Sequence, residues 1–195
     1  LSSALARKVL ATFPYYHIYP DPLQRNLRAA LSVYTGFPAG NIVCGNGSDE
    51  LIDLVLRLFL NEGDEVLNFS PTFGMYPFVV TVCGGRLINV PRTDNFAIDL
   101  ESASAAIGAR TRVVFIASPN NPTGGVASRE DVQALLDCGL VVVVDEAYYE
   151  FSGHSLLDMV PSNPSLLVLR TFSKWAGLAG LRVGYCVCHE ELVGH

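Results

Sequence analysis

Leu140-Val-Val-Val-Val-Asp145 is the stretch whose reading decides the fold. Five apolar residues, four of them β-branched, leave a strand no polar face, so both of its sides must be covered by protein. A strand covered twice belongs to the middle of a parallel or mixed sheet between two helical layers. The run ends on a carboxylate, which is costly to bury without a partner. Asp145 therefore demands a cation, either a lysine or arginine or the protonated nitrogen of a bound heterocycle.

Outward from this run, strands and helices alternate. Upstream, strands are predicted at 41–44, 65–69, 85–90 and 112–117; downstream, at 166–169 and 183–187. Between them, Asp21 as a cap with Pro22 at the first position predicts a helix stopped by Gly36. A helix apolar nearly all round is predicted over Leu51–Leu60 and should be buried. Further helices are expected from the Ser70–Tyr76 segment onward, over 99–107, and from Ser128, whose spacing to Asp131 resembles a capping box, to Gly139. Residues 1–13 read as a short helix and 14–20 as an extended aromatic segment. The fold class is a three-layer, doubly wound α/β sheet, mixed but mostly parallel.

Composition bounds the function. In 195 residues, 50% are hydrophobic and 16% charged, enough for a sizeable core, and the net charge of −6 gives no footprint for nucleic acid. No apolar run approaches the roughly 20 residues of a membrane span. Five dispersed cysteines (Cys44, Cys83, Cys138, Cys186 and Cys188) lack the C-x-x-C spacing of metal or redox motifs and suit a reducing compartment, taken as the cytoplasm. The chain opens on Leu1 and closes on Glu191-Leu-Val-Gly-His195 without a stop signal, the pattern of a fragment.

In doubly wound sheets, ligands lie beyond the carboxyl ends of the strands. Gly45-Asn-Gly47-Ser48-Asp49 joins a strand to a helix N-terminus, an anion site by its free N–H groups and dipole. Asn121, in Ser118-Pro-Asn-Asn-Pro-Thr-Gly124, offers an amide to a phenolate oxygen. Tyr148 follows Asp145 by three residues and can reach the same oxygen, and Phe73 can lie on a π-face. Lys174, in Arg170-Thr-Phe-Ser-Lys174-Trp-Ala-Gly, is delivered by an apolar strand into a glycine-rich bend. Loss of hydration there would leave an amine able to condense with an aldehyde. Eight residues on, Arg182 presents a planar fork to a phosphate. The glycine loop alone would also allow a nucleotide, but no G-x-G-x-x-G with a downstream acid is present.

Taken in order, Gly45-Asn-Gly-Ser-Asp-Glu50, Pro71-Thr-Phe-Gly-Met-Tyr76, Ser118-Pro-Asn-Asn-Pro-Thr-Gly124, Val144-Asp-Glu-Ala-Tyr148 and the run from Arg170 to Arg182 closely resemble the fold-type I pyridoxal-phosphate aminotransferases. Within them the chain is most similar to the histidinol-phosphate aminotransferase family, Tyr19-Pro-Asp-Pro22 included. The resemblance implies that Lys174 carries pyridoxal 5'-phosphate and moves the substrate proton, while Asp145 keeps the pyridine nitrogen protonated. Asn121 and Tyr148 bind the phenolic oxygen, and Phe73 stacks on the ring. The phosphate is held by backbone at Gly47, Ser48 and Asp49, by Thr171 and Ser173 hydroxyls and by Arg182. Tyr19 reaches the site of a neighbouring subunit, which implies a homodimer. Substrates are an amino-acid or amino-alcohol phosphate and 2-oxoglutarate. Residues 1–20 correspond to an N-terminal arm and 21–195 to the cofactor-binding large domain, with the C-terminal small domain absent. Two alternatives stay open: another member of the subgroup, such as an aromatic aminotransferase or a threonine-phosphate decarboxylase, or a truncated, non-catalytic interaction module.

Overall fold

A computed structural model describes residues 17–194 continuously, preceded by Ala4, Arg7, Lys8, Ala11, Thr12 and Tyr15. Much of the helix expected over 1–13 and part of the segment 14–20 lie outside the described residues. Tyr15 accepts a backbone hydrogen bond from Ile18, a turn rather than extended chain.

The described chain runs α1 (Arg25–Thr35), β1 (Ile42–Asn46), α2 (Gly47–Phe59), β2 (Glu65–Ser70), α3 (Met75–Val82), β3 (Arg86–Pro91), α4 (Leu100–Ala106), β4 (Thr111–Ala117), α5 (Arg129–Asp137), β5 (Val141–Asp145), α6 (Tyr149–Ser152), β6 (Leu166–Thr171) and β7 (Val183–Val187). One seven-stranded sheet has the order β1-β7-β6-β5-β4-β2-β3. Every pairing is parallel except the two made by β7, which runs antiparallel to both β1 and β6. The mixed, mostly parallel sheet read from the sequence is the one observed.

Strand β5 sits in the middle and shows why its sequence needs no polar face. Val142 and Val144 enter one core layer with Leu31 of α1, Ala103 of α4, Val132 and Leu135 of α5 and Leu156, Leu157, Met159 and Val160. Val143 points the other way, into a second layer with Leu51, Ile52, Val55 and Leu56 of α2 and Tyr76, Val79 and Val80 of α3. The period of two along the strand thus sorts side chains into two cores, the three-layer architecture expected.

Local signals act as their chemistry dictates, with three corrections. The Ser128–Asp131 capping box forms in full at the start of α5, and Gly36 ends α1 at φ 77°, a left-handed conformation that glycine adopts freely. However, α1 starts at Arg25 rather than beside Asp21: the Asp21 carboxylate accepts the N–H groups of Leu23 and Arg25 and the Arg25 guanidinium, holding an extra turn before the helix. Helix α2 is not buried all round, because Leu54 and Leu58 on one side are exposed. Residues 71–74 form a connection with a cis Ser70–Pro71 bond, and α3 begins only at Met75.

Candidate active site

Because β1, β2, β4, β5 and β6 all point the same way, their connections emerge at one edge; β7, running oppositely, begins there. At this edge lies a cleft of about 140 Å3, open to solvent. The β1–α2 junction lines it with Ser48 and Asp49, and the β2–α3 connection with Phe73. The tail of β4 contributes Asn121, the tail of β5 Asp145 and Tyr148, and the β6–β7 connection Thr171, Ser173, Lys174 and Arg182. The side chains of Lys174, Asp145 and Asn121 thus share one cavity.

Two expected residues stand elsewhere. Gly47 lies behind the cleft wall at φ 80°; a Cβ there would fall 2.5 Å from Arg182 Nη2, so the missing side chain lets the guanidinium lie against the start of α2. Gly184 of β7 plays the same part from the other side, since a Cβ on it would meet Gly47 C at 2.4 Å and Ser48 N at 2.5 Å. Tyr19 is 97% exposed and borders a separate concavity with Tyr15, Ile18 and Gln24.

The floor of the cleft is Asp145, only 5% exposed. Its Oδ2 accepts the Tyr76 hydroxyl at 2.9 Å and its Oδ1 the Ala147 N–H at 3.1 Å. Burial pushes the carboxyl above its ordinary range; the hydrogen bonds from Tyr76 and Ala147, and more weakly the Lys174 charge, pull it back. Among the described residues no cation stands within ion-pair distance of Asp145. The partner demanded by the sequence is therefore not supplied by this chain's own lysines or arginines.

Tyr76 is a residue the sequence reading missed. It is fully buried, its ring stacked on Phe115 (centroids 4.7 Å apart) and meeting the Phe73 edge at 5.4 Å. It thereby couples the carboxylate on the floor to the aromatic wall. Burial and the adjacent carboxylate keep its hydroxyl protonated, hence a donor. No local signal could have found it, because its partner Asp145 lies 69 residues further along the chain.

At the opposite end, Arg182 donates from Nη2 to Asp49 Oδ2 at 2.8 Å, both side chains remaining partly solvated. Thr171 Oγ1 donates to Ser173 Oγ at 3.0 Å and accepts the Ser173 N–H at 3.1 Å. With the N-terminus of the 13-residue helix α2 alongside, this end collects N–H donors, hydroxyls and a guanidinium, a donor set for an anion. Lys174 is exposed, with Nζ 5.5 Å from the Tyr148 ring centroid. The dry setting expected of its amine from the glycine-rich bend is therefore not the one observed. Asn121 is exposed at the rim, while its neighbour Asn120 is buried and structural: it accepts the Thr72 hydroxyl and donates to Pro71 O and Thr123 Oγ1.

A buried carboxylate lacking a cation, an aromatic wall, an anion-binding end and a primary amine fit a flat, phosphorylated aldehyde with a basic ring nitrogen.

The family model described as aminotransferase class I and II matches residues 2–195. A histidinol-phosphate aminotransferase of Dehalococcoides mccartyi is 52% identical over 179 residues, 92% of this chain and 50% of that protein. A chloroplastic histidinol-phosphate aminotransferase of Nicotiana tabacum is 47% identical over 183 residues, 93% of this chain and 44% of that one. The chain thus spans about half the length of the curated relatives it matches. Among solved structures, the histidinol-phosphate aminotransferase of Sinorhizobium meliloti in complex with pyridoxal-5'-phosphate superposes with a TM-score of 0.88 at 30% identity, covering 98% of this chain and 54% of that one. Fold and sequence agree, and the chain belongs to the class I and II aminotransferases.

Proposed function

We propose that the chain is the cofactor-binding part of a pyridoxal-phosphate-dependent aminotransferase that moves an amino group between histidinol phosphate and 2-oxoglutarate. The observation that carries the cofactor is the buried Asp145 with no cationic partner, in one cleft with Lys174 and Arg182. The substrate rests on the names of the relatives near half identity.

Pyridoxal phosphate, when bound, supplies a carbonyl for amine condensation and a ring that withdraws electrons from the substrate α-carbon. The residues of this chain supply the rest. Asp145 would accept a hydrogen bond from the protonated ring nitrogen, with Tyr76 holding that carboxylate in place. Phe73 would lie against the ring, and Tyr148 and Asn121 would bind the phenolic oxygen. Backbone N–H groups at Ser48 and Asp49, the Thr171 and Ser173 hydroxyls and Arg182 would hold the phosphate. Lys174 would hold the cofactor through its primary amine and would be the base that takes and returns the substrate α-proton.

Residues 1–20 act as an arm and 21–195 as the large domain, in a homodimer where Tyr19, exposed on its own subunit, reaches the cleft of the partner. Five free cysteines suit a reducing compartment such as the cytoplasm. The test is to incubate the chain with pyridoxal phosphate, reduce with borohydride and locate the adduct by mass spectrometry. An adduct at Lys174 that Lys174→Ala abolishes is expected, with folding unchanged because the side chain is exposed. No adduct, or one elsewhere, overturns the assignment. Turnover by the longer protein with histidinol phosphate, phenylalanine and threonine phosphate decides the substrate; preference for either of the last two removes histidinol phosphate.

A further inference from the structure

One face of the β5 and β6 tails lines the cleft, and the opposite face holds a charged pair the mechanism does not use. Register pairs Val144 with Val168 and Asp145 with Leu169, and the Glu146 N–H donates to Leu169 O at 2.8 Å. Side chains alternate beyond that point, so Asp145 and Thr171 face the cleft while Glu146 and Arg170 face away from it. Glu146 and Arg170 are 1% and 3% exposed, a fully desolvated ion pair.

The guanidinium makes three kinds of contact. Arg170 Nε and Nη2 donate to Glu146 Oε2 at 3.0 and 2.8 Å, and Nη2 also donates to Ser155 Oγ at 2.7 Å. Its Cζ lies 3.6 Å from the Tyr149 ring centroid. Glu146 is saturated in turn: Oε1 accepts the Leu156 N–H at 2.7 Å and Oε2 the Ser155 hydroxyl at 3.0 Å. These contacts tie together β5, β6 and the chain from 146 to 156.

Three of the residues in this cluster fall one position from the cleft. Glu146 follows Asp145, Tyr149 follows Tyr148, and Arg170 itself precedes Thr171. A buried ion pair is poor evidence of stability, since well-packed apolar residues of similar volume often serve as well or better. What an apolar replacement cannot supply is direction: a planar fork and a stacked ring fix angles as well as contact.

We propose that Arg170 is the positioning residue of this cleft, setting the orientation of Asp145, Tyr148 and Thr171 through Glu146, Tyr149 and its own backbone. The inference rests on the reading of the cleft as a pyridoxal-phosphate site. Arg170→Lys keeps the charge but loses the fork and the stack; Tyr149→Leu loses only the stack. The probe is pyridoxal phosphate, titrated against the fluorescence of Trp175, the single tryptophan of the chain and next to Lys174. Visible circular dichroism of the bound ring reports its orientation, and a thermal melt reports the fold.

Arg170→Lys is expected to melt cooperatively, to bind pyridoxal phosphate about tenfold more weakly and to lose much of the induced dichroism. Tyr149→Leu is expected to show a smaller loss of affinity with the same spectral change. A folded Arg170→Lys with the parent's affinity and dichroism overturns the inference. Should that variant fail to fold, an unchanged Tyr149→Leu overturns it instead. A parent chain that takes up no pyridoxal phosphate overturns the site reading and this inference together, whereas a competent parent with indifferent variants overturns this inference alone.

Discussion

Replacing Tyr76 by phenylalanine removes one oxygen and leaves the ring, so the stack on Phe115 and the edge contact to Phe73 survive. What disappears is a 2.9 Å hydrogen bond to a buried carboxylate. A hydrogen bond to a charged group contributes about 1.5–3 kcal/mol, against about 0.5–1.5 kcal/mol for a neutral one. At this chain length each kcal/mol moves the melting temperature by about 2–4 °C, so the variant should melt about 3–12 °C lower near neutral pH. The sign with pH follows from Asp145. Its carboxyl already sits above the ordinary 3.8 because of burial, so the folded state holds more protons than the unfolded one. Stability therefore falls as pH rises through that range and the loss is complete above the folded value. Tyr76→Phe pushes the carboxyl further up and deepens this loss, while in acid, with the carboxyl protonated, only a neutral hydrogen bond is missing. Melts of both proteins at an acid pH and at neutral pH should give a deficit that grows with pH. An equal deficit at both values would reduce Tyr76 to packing, and no deficit would show that the bond carries nothing.

Gly184→Ala places a methyl 2.4 Å and 2.5 Å from backbone atoms of Gly47 and Ser48, which cannot swing aside as a side chain can. The variant should lose about 1–3 kcal/mol in a denaturant titration and bind pyridoxal phosphate more weakly; retention of both would contradict the close approach of β7 to α2. Arg182→Ala should lose affinity without the loss of stability. Its pair with Asp49 is solvated and contributes under about 1 kcal/mol to folding, yet affinity for pyridoxal phosphate should drop by about tenfold or more. Equal affinity in an equilibrium dialysis would remove Arg182 from the phosphate end.

The fold was legible because its strands are apolar runs punctuated by polar turns, and the cleft because its residues follow those runs directly. Less legible was whatever depends on what lies across a gap in space. Leu54 and Leu58 continue the apolar pattern of α2, and periodicity does not say that this side of the helix is open. Asp21 was read as a cap from its place before Pro22, whereas its bond to the Arg25 guanidinium moves the helix start. Lys174 was expected to be dry because glycines surround it, but small neighbours uncover an amine as readily as they bury it. Tyr76 and the Glu146–Arg170 pair carry no local signature. Their partners are 69 and 24 residues away, and only the sheet register brings them together.

The reversed strand β7 has a consequence for assembly. Arg182 and Asp49 are 133 residues apart in the chain, and their meeting depends on β7 entering the sheet between β6 and the edge strand β1. During synthesis, domains fold as the chain emerges, and pairings of wide sequence separation close late. Until residue 187 is available, β1 has no strand to join and the anion-holding end does not exist, even if the parallel strands are already in place. The meeting of Arg182 with Asp49 and the start of α2 therefore waits for β7 to pair, and a ligand bridging the two would act as a clasp on the joined strands.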